Sequence, residues 1–296
     1  MTSRTVPHTE SRPAPARSDA AARRRLPRVN VLGGLGAAVW LVVVALPLYY
    51  LLASSLRRRE DYLSAGALSA PGSTLENYGQ VLGSGFGTYL LNNVIVTVAA
   101  VAIVLGLAAP AGYAIVRSPS RLVRGAFSVM LLGLAIPAQA TIVPIYLMIT
   151  RMHLYDSLLA VILPTAAFVL PMAILVLTSV MRDIPRELFE SMSLDGAGPF
   201  RVLMALVVPL SRPGLVTVGI YTALNAWNGF IFPLVLTQDP SVRTLTLGLW
   251  DFQGALGTRN IPAILAAVTL SMLPLLAVYL FGRRHLLRGL TAGFGR

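Results

Sequence analysis

The sequence predicts an all-α integral membrane protein with six transmembrane helices, on three observations. First, 55% of the 296 residues are hydrophobic and only 12% are charged, whereas a soluble domain carries about 25% charged residues. Second, the mean hydropathy is +0.71. Third, six apolar stretches each reach the roughly 20 residues that a helix needs to cross a bilayer, and the remaining polar residues cluster between them.

The six stretches include proline or glycine in most cases, which membrane helices tolerate when their neighbours satisfy the freed backbone groups. The fifth stretch is longer than one span requires. Its end, AWNGFIFP within 226–236, is either an interfacial helix end or a short re-entrant turn. The predicted spans are 31–52, 89–112, 126–149, 158–181, about 206–236, and 261–282.

The predicted domain organisation follows from these spans. The N-terminal segment is rich in Arg, Pro and Ala without periodicity, which is typical of a disordered tail. The first apolar run is 22 residues long and exceeds the roughly 7–15 residues of a signal-peptide core, so we expect a retained helix. The predicted segments are a cytoplasmic tail at 1–29, a first transmembrane helix at 30–56, an extracytoplasmic loop at 57–87, a five-helix core at 88–282 and a cytoplasmic tail at 283–296.

The distribution of arginine predicts the orientation. With the N-terminus inside, the cytoplasmic segments and their flanks hold 18 arginines and the extracytoplasmic ones hold 6. The positive-inside rule therefore favours a multi-pass protein with both termini in the cytoplasm. The triplet Arg57, Arg58 and Arg59 opposes this orientation, although Glu60 and Asp61 follow it directly.

The residues that are missing exclude several kinds of chemistry. The chain has no cysteine and no lysine, so it has no thiolate site and no phosphate-binding P-loop lysine. His8, His153 and His285 are scattered without metal-ligand spacing, and we predict no metal site and no catalytic residue. The predicted helix interiors contain no Asp, Glu or His, which argues against an ion-coupled carrier.

The segment DIPRELFESMSLDGAGPFRV interrupts the apolar sequence between the fourth and fifth spans, within the predicted cytoplasmic loop 182–205. Pro185 suits the start of a helix and Glu187 suits its positive end. Asp195–Gly196 indicates a turn, and Pro199 can begin a second helix. Such a helix pair fits a groove on a partner protein; the alternative is an interfacial helix that rests on lipid.

The same segment resembles the EAA loop of binding-protein-dependent ABC importer permeases. Glu190, Ser191 and Met192 stand at the Glu-Ala-Ala positions, Gly196 at the glycine, and Val207–Pro209 at the motif's ending. Ser191 and Met192 depart from the two alanines. The resemblance implies a coupling helix that docks into an ATPase subunit. The docking residues it implies are Phe189, Glu190, Ser191, Met192, Asp195, Gly196, Ala197 and Gly198.

Two further stretches resemble carbohydrate permeases of the maltose MalG-like type: NAWNGFIFPLVL at 225–236 and the closing FGRRHLLRGLTAGFGR. Gly229 stands where these permeases often carry an acid. The resemblance implies the type I ABC importer permease fold in a bacterial inner membrane. The chain would form half of a sugar pathway and would itself carry no cofactor. Its implied partners are a second permease subunit, two ATPase subunits that bind ATP and Mg²⁺, an extracytoplasmic solute-binding protein and lipid, with no nucleic acid.

Polar residues within the predicted spans are candidates for hydrogen bonds to sugar hydroxyls. The alternative for each is a bridge between helices, since Asn, Ser and Thr commonly join membrane helices. A permease for a polyamine or glycerol phosphate, or a secondary transporter, remains an alternative function. The candidate path residues are Asn92, Asn93, Gln139, Asn225 and Asn228.

Overall fold

The computed structural model describes residues 31–64, 66, 72–250 and 260–293, and within these ranges it is helical with no strand. The predicted tail at 1–29 lies outside the described residues. The helices are α1 (Val31–Ser55), α2 (Asp61–Ser64), α3 (Glu76–Gly83), α4 (Phe86–Arg117), α5 (Arg121–Leu132), α6 (Ile142–Arg151), α7 (Leu158–Arg182), α8 (Arg186–Leu194), α9 (Pro199–Val202), α10 (Val208–Leu210), α11 (Arg212–Trp227), α12 (Ile231–Leu236), α13 (Leu245–Gly248) and α14 (Ile261–Gly293).

The chain divides into two compact units, Met1–Pro47 and Leu48–Arg296. The first unit, where it is described, is helical, and its apolar side chains, such as Leu32 and Trp40, are exposed. The second unit contains the remaining helices, and the residues discussed below belong to it unless stated otherwise.

The core of the second unit is built by α4, α7 and α11, which pack against one another along their lengths. Small residues allow this close approach. A Cβ added at Gly112 of α4 would lie 3.2 Å from the Met181 sulfur of α7, and one added at Gly214 of α11 would lie 3.0 Å from Val180. Small residues at helix contacts are typical of membrane proteins, where close backbone packing replaces the hydrophobic drive.

The third predicted span, 126–149, is not one straight helix. It belongs to a pair, Arg121–Ala135 and Ala138–Arg151, that is bent by 99°. Ile136 adopts an extended conformation with ψ of 115°, because the ring of the following Pro137 disfavours a helical residue before it. The proline therefore breaks the helix where hydropathy alone predicted continuity.

The fifth predicted span, 206–236, is divided in a similar way. Pro199–Leu210 and Arg212–Trp227 meet at an angle of 80°. The first part contains a π-helical turn at Leu203–Val207, and π-turns locally widen a helix. Beyond Trp227 the chain turns and begins the short helix α12, so the AWNGFIFP segment is a helix end, a turn and a new helix.

The number of membrane spans can be compared with the predicted six only in part. Among the described residues, three helices are long and apolar enough to cross a membrane, or up to five if each bent pair is one span; 261–277 forms a shorter apolar helix. The final helix continues to Gly293, past the predicted boundary at 282. The all-helical fold is confirmed, and the count of six stays a prediction.

The arginine triplet after the first helix is partly internal to the protein. The Arg57 side chain is 2% exposed, and its Nη2 donates to the Gly66 carbonyl at 3.0 Å. The Asn77 amide donates to the carbonyls of Ser55 and Arg57, both at 2.8 Å. Arg57 thus connects the chain after α1 to the loop at Gly66 and to α3. It is part of the folded interior and not a surface charge beside a membrane.

Candidate functional site

The polar segment between α7 and α9 folds as a helix closed by a left-handed glycine. After α8 ends, the Gly196 N–H donates to the Ser193 carbonyl at 3.1 Å, and the Ala197 N–H donates to the Met192 carbonyl at 2.9 Å. Gly196 has a φ of +71°. These two bonds around a left-handed residue form a Schellman motif, which satisfies carbonyls that a helix end leaves open. The predicted glycine turn is present and has a defined geometry.

One aromatic side chain attaches α8 to the helix core. Phe189 is only 3% exposed, and its ring stacks on that of Tyr113 with 6.3 Å between centroids and 15° between planes. The Arg117 guanidinium carbon lies 4.6 Å from the centre of the same ring. Tyr113 and Arg117 belong to the last turns of α4. Ring stacking and a cation–π contact therefore join the polar segment to the end of α4.

The two sides of the polar segment differ in what they face. Met192 and Ala197 are half-buried and pack on the same core cluster as Phe189. On the other side, Leu194 is 89% exposed and Phe200 is 72% exposed. Exposed apolar side chains on both sides of one turn offer a surface that either a partner protein or lipid can cover.

The docking residues named from the sequence divide between these two sides. Glu190, Ser191, Asp195, Gly196 and Gly198 are exposed. Phe189, Met192 and Ala197 face inward instead, so these three hold the segment in place, and the five exposed ones are accessible to another protein.

Leu194 and Phe200 are not among the docking residues predicted from the sequence. They flank the glycine turn, and each is a large apolar residue next to polar or small ones. That local contrast was visible in the sequence. Which apolar residues point outward, however, depends on how α8 is rotated against the core.

At the opposite end of α4, two adjacent asparagines hold the backbone of distant segments. The Asn92 amide donates to the carbonyls of Ser241 at 2.7 Å and Arg243 at 3.0 Å. The Asn93 amide donates to the Trp227 carbonyl at 3.3 Å. Both asparagines are buried. Their N–H groups thus connect α4 to other segments. A bridge of this kind is the alternative to sugar contact that was given above for each polar residue.

The backbone that Asn92 holds is part of a segment we term the rim, residues 237–250. The Asp156 carboxylate accepts hydrogen bonds from the rim N–H groups of Gln238 at 2.7 Å and Asp239 at 3.0 Å. The Asp156 N–H donates to the Leu236 carbonyl at 3.0 Å. The Ser241 N–H donates to the Asp239 carboxylate at 2.7 Å, and this bond is the main reason that the pKa of Asp239 lies below its ordinary value.

The rim also packs tightly against the start of α4. A Cβ added at Gly248 would overlap the buried ring of Tyr89. The Thr246 hydroxyl donates to the Gly229 carbonyl at 2.6 Å. Side chains from α4, from the loop before α7 and from the rim itself therefore hold the rim in place. The sequence pattern did not predict these contacts.

The other candidate path residues are exposed. Gln139 lies beside the bend between α5 and α6. Asn225 and Asn228 donate to carbonyls one turn earlier in the chain, those of Tyr221 and Leu224, each at 2.9 Å. Asn228 directly follows Trp227, whose carbonyl accepts the Asn93 hydrogen bond, so these two candidates lie on neighbouring segments.

A cavity of about 360 Å³ opens beside the rim. Phe230 and Trp250 stack at its wall, with ring centroids 6.0 Å apart and an angle of 21° between the planes. Its lining is mostly apolar, with an amide and a guanidinium among it. The lining residues are Phe230, Leu234, Thr237, Gln238, Arg243, Leu247 and Trp250. Within the described ranges, no group of three or more His, Asp or Glu side chains is placed to hold a metal ion.

Most of the second unit matches a known protein family. Residues 102–292 match the family described as the binding-protein-dependent transport system inner membrane component. This range includes the polar segment, the rim and the cavity, and it excludes the first unit.

Several proteins resemble the chain over most of its length. A Caldicellulosiruptor sp. (strain Rt8B.4) protein, ORF2, described as a putative ABC transporter permease, is 41% identical over 86% of this chain and 93% of its own. The diacetylchitobiose uptake system permease protein NgcG of Streptomyces coelicolor is 30% identical over 86% of this chain and 85% of its own. The melibiose/raffinose/stachyose import permease protein MelC of Bacillus subtilis is 28% identical over 84% and 90%.

A solved structure shares the fold. A chain of a bacterial ABC transporter involved in the import of the acidic polysaccharide alginate superposes with a TM-score of 0.72, at 22% identity, over 88% of this chain and 98% of that one. At this level of identity the match establishes the architecture.

Proposed function

Because the chain belongs to the family of binding-protein-dependent transport system inner membrane components, a multi-pass permease family of ABC importers, we propose that it forms half of the membrane pathway for a sugar. A second, different permease subunit would form the other half. A solute-binding protein would deliver the sugar from outside. Two ATPase subunits would dock below the two permease subunits, one of them on the coupling loop of this chain, residues 182–205.

The substrate class rests on the relatives and on the sequence motifs. Relatives named for uptake of diacetylchitobiose, of melibiose, raffinose and stachyose, and of trehalose and maltose all align with this chain. The segment NAWNGFIFPLVL at 225–236 and the closing segment FGRRHLLRGLTAGFGR resemble the same group of permeases. Together they favour a mono- or oligosaccharide over a polyamine or glycerol phosphate, and an ATP-driven importer over a secondary transporter.

The single observation that carries the docking proposal is the two-sided coupling loop. Its inner side is attached to the core by Phe189, and the end of its helix is closed by local hydrogen bonds around Gly196. Its outer side presents Leu194 and Phe200, which are largely exposed. A short helix held rigidly from within and apolar on its free side is suited to insertion in a groove of a partner.

The energy source would be on the partner subunits. This chain has no lysine, so it lacks the P-loop residue that contacts the phosphates of ATP. ATP and Mg²⁺ would bind to the ATPase subunits. Closure of these subunits would pull the coupling loop and open the pathway to the other side, without any covalent step on this chain.

The proposed orientation places both termini in the cytoplasm of a bacterial cell, on the same side as the coupling loop. The excess of arginine in the segments on that side supports it. The triplet at 57–59 is weaker evidence against this orientation than its charge suggests, because Arg57 is an internal residue that contacts Gly66. The positive-inside rule concerns charges that interact with the membrane.

The test is a disulfide crosslink between the coupling loop and the cognate ATPase subunit. The chain has no native cysteine, so a Leu194→Cys variant carries one thiol, at an 89% exposed position. Leu122→Cys is the matched control, because Leu122 is 81% exposed and follows the same end of α4. Cysteines would be placed around the groove of the ATPase subunit.

We expect Leu194→Cys to form a crosslink whose yield changes when ATP is added, and Leu122→Cys to form far less. Equal yields from the two positions, or modification of the thiol at position 194 by lipid-phase reagents alone, would contradict docking at this loop. The segment would then be an interfacial helix.

A further inference from the structure

We propose that the cavity beside the rim binds a pyranose ring of the transported sugar, with Trp250 stacked on the apolar face of that ring. The proposal rests on the proposed function, since it names where the sugar would contact this chain. The cavity takes the place of Asn92 and Asn93 as the candidate sugar contact, because the amide N–H groups of both asparagines donate to backbone carbonyls.

The cavity has the size and lining of a small-molecule site. Its volume of about 360 Å³ lies within the range of roughly 300–1,000 Å³ that is typical of ligand pockets. Leu234 and Leu247 contribute apolar surface, and Gln238 and Arg243 contribute polar groups. Such sites combine an apolar wall with a few placed polar groups, which matches a sugar ring with its C–H faces and its rim of hydroxyls.

The aromatic wall supplies the apolar contact. Trp250 is 57% exposed, although its ring is stacked on Phe230. The stack limits the rotation of the indole, while much of its surface remains in contact with solvent. Covering that surface with the C–H face of a sugar ring removes apolar area from water on both partners.

The polar groups at the cavity suit hydroxyl oxygens. Arg243 Nη2 donates to the Gln238 carbonyl at 3.3 Å, which links the two polar residues of the cavity. A guanidinium presents five N–H donors and a glutamine side chain presents both donors and an acceptor. The guanidinium can donate to a sugar hydroxyl, and the glutamine side chain can either donate to a hydroxyl or accept from it.

The site is organised before any ligand arrives. Asn92 holds the Arg243 carbonyl, and Asp156 holds the Gln238 N–H. Both cavity residues therefore sit on a backbone fixed from outside the cavity, and binding would not need to order the rim, a cost that otherwise subtracts from affinity. The cavity also lies at the end of α4 opposite the coupling loop, where the proposed orientation places sugar entry.

Two other occupants would explain an exposed aromatic wall: lipid, because Trp is common at membrane interfaces, and the second permease subunit. The first experiment identifies the occupant. The photoreactive residue p-benzoylphenylalanine replaces Leu234 in the complete transporter in its membrane. Radiolabelled maltose, melibiose and diacetylchitobiose are the probes, supplied with the solute-binding protein. The same residue in place of Trp40, which is 69% exposed in the first unit, is the control.

We expect radiolabel on this chain after irradiation from position 234, competed by unlabelled sugar, and none from position 40. A crosslinked second polypeptide or a lipid adduct at position 234, with no radiolabel, would overturn the proposal and assign the cavity to that occupant.

The second experiment measures sugar moved per ATP hydrolysed. Trp250→Leu keeps apolar bulk but removes the flat ring, so we expect this ratio to fall about tenfold, and Trp250→Phe to retain most of it. Trp40→Leu is the control. If the Leu and Phe variants match, the ring does not stack on sugar and the proposal fails. If the wild-type transporter moves neither these three sugars nor any other mono- or oligosaccharide upon ATP hydrolysis, the proposed function itself is contradicted.

Discussion

The two ends of α4 are attached to neighbouring segments by different chemistry. At its last turns, Tyr113 and Arg117 hold the coupling loop through the Phe189 ring. At its first turns, Asn92 and Asn93 hold the rim and the end of α11 through hydrogen bonds to backbone carbonyls. The 32 residues of α4 give the helix a length of about 48 Å, at 1.5 Å per residue, so the two attachments lie far apart.

The difference indicates how each end is suited to its role. The burial of the Phe189 side chain is a non-directional contribution, so this attachment tolerates a small rotation better than a hydrogen bond does. Hydrogen bonds weaken steeply when their angle changes, so the rim is fixed in one arrangement. In the function proposed above, the coupling loop would move with an ATPase subunit, while the rim would keep a defined surface for the substrate.

The largest expected effect is at the ring attachment. In Phe189→Ala, the loss of a buried ring should cost about 3–5 kcal/mol, most of it in the attachment of α8. Amides of 186–194 should then exchange hydrogen much faster, with the rim unchanged. Phe200→Ala is the control, since Phe200 is exposed and its removal should leave exchange in α8 unaltered. Unchanged exchange in Phe189→Ala would show that the loop is held by other contacts.

The second effect concerns the hydrogen-bonded attachment. Asn92→Ala leaves the carbonyls of Ser241 and Arg243 without this donor, at a cost of roughly 1–3 kcal/mol. We expect a lower melting temperature in detergent and faster exchange in the rim. Asn228→Ala removes a bond within the local helix end on an exposed residue, and should change stability by about 0.5 kcal/mol or less. Equal effects would mean that Asn92 is not a specific attachment.

A third, smaller effect tests the helix closure in isolation. Gly196 and Gly198 both have open space where a Cβ would be added, but Gly196 has a φ of +71° and Gly198 a φ of −69°. Gly196→Ala should therefore cost about 1–2 kcal/mol from backbone strain alone, seen as a lower melting temperature, and Gly198→Ala should cost almost nothing. A difference near zero between the two variants would contradict the left-handed closure.

The smallest effect is a local dependence of the rim on pH. The pKa of Asp239 is lowered by its hydrogen bonds from Ser241. The cap is therefore fully present above the ordinary pKa of aspartate and is lost as pH falls through the lowered value. Protection of the Ser241 amide, compared with an Asp239→Asn variant, should decline in that acidic window. A constant ratio between the two proteins across that window would show that the charge plays no part.

Features that depend on local signals could be predicted from the amino-acid sequence alone. Hydropathy fixed the membrane class, because apolar runs of this length bury their side chains only in lipid or in a helical core. The helix of the coupling loop and the turn at Gly196 were also predictable, because Pro185 and Asp195–Gly196 act within a few residues. The arginine count needed no structure, and the exclusion of ATP binding by a P-loop followed from the absence of lysine.

Whether a given side chain faces the core or the exterior depends on how the helices pack, which the sequence pattern does not show. In a membrane protein an apolar side chain is stable both in the core and at the exterior, and periodicity does not distinguish the two environments. Phe189 faces inward and Leu194 faces outward, although both are apolar residues of α8. Asn92 was visible as a polar residue in a span, yet its acceptors lie about 150 residues further along the chain. The bend at Pro137 and the cavity walled by Phe230 and Trp250 likewise depend on how the folded chain is arranged, which hydropathy does not encode.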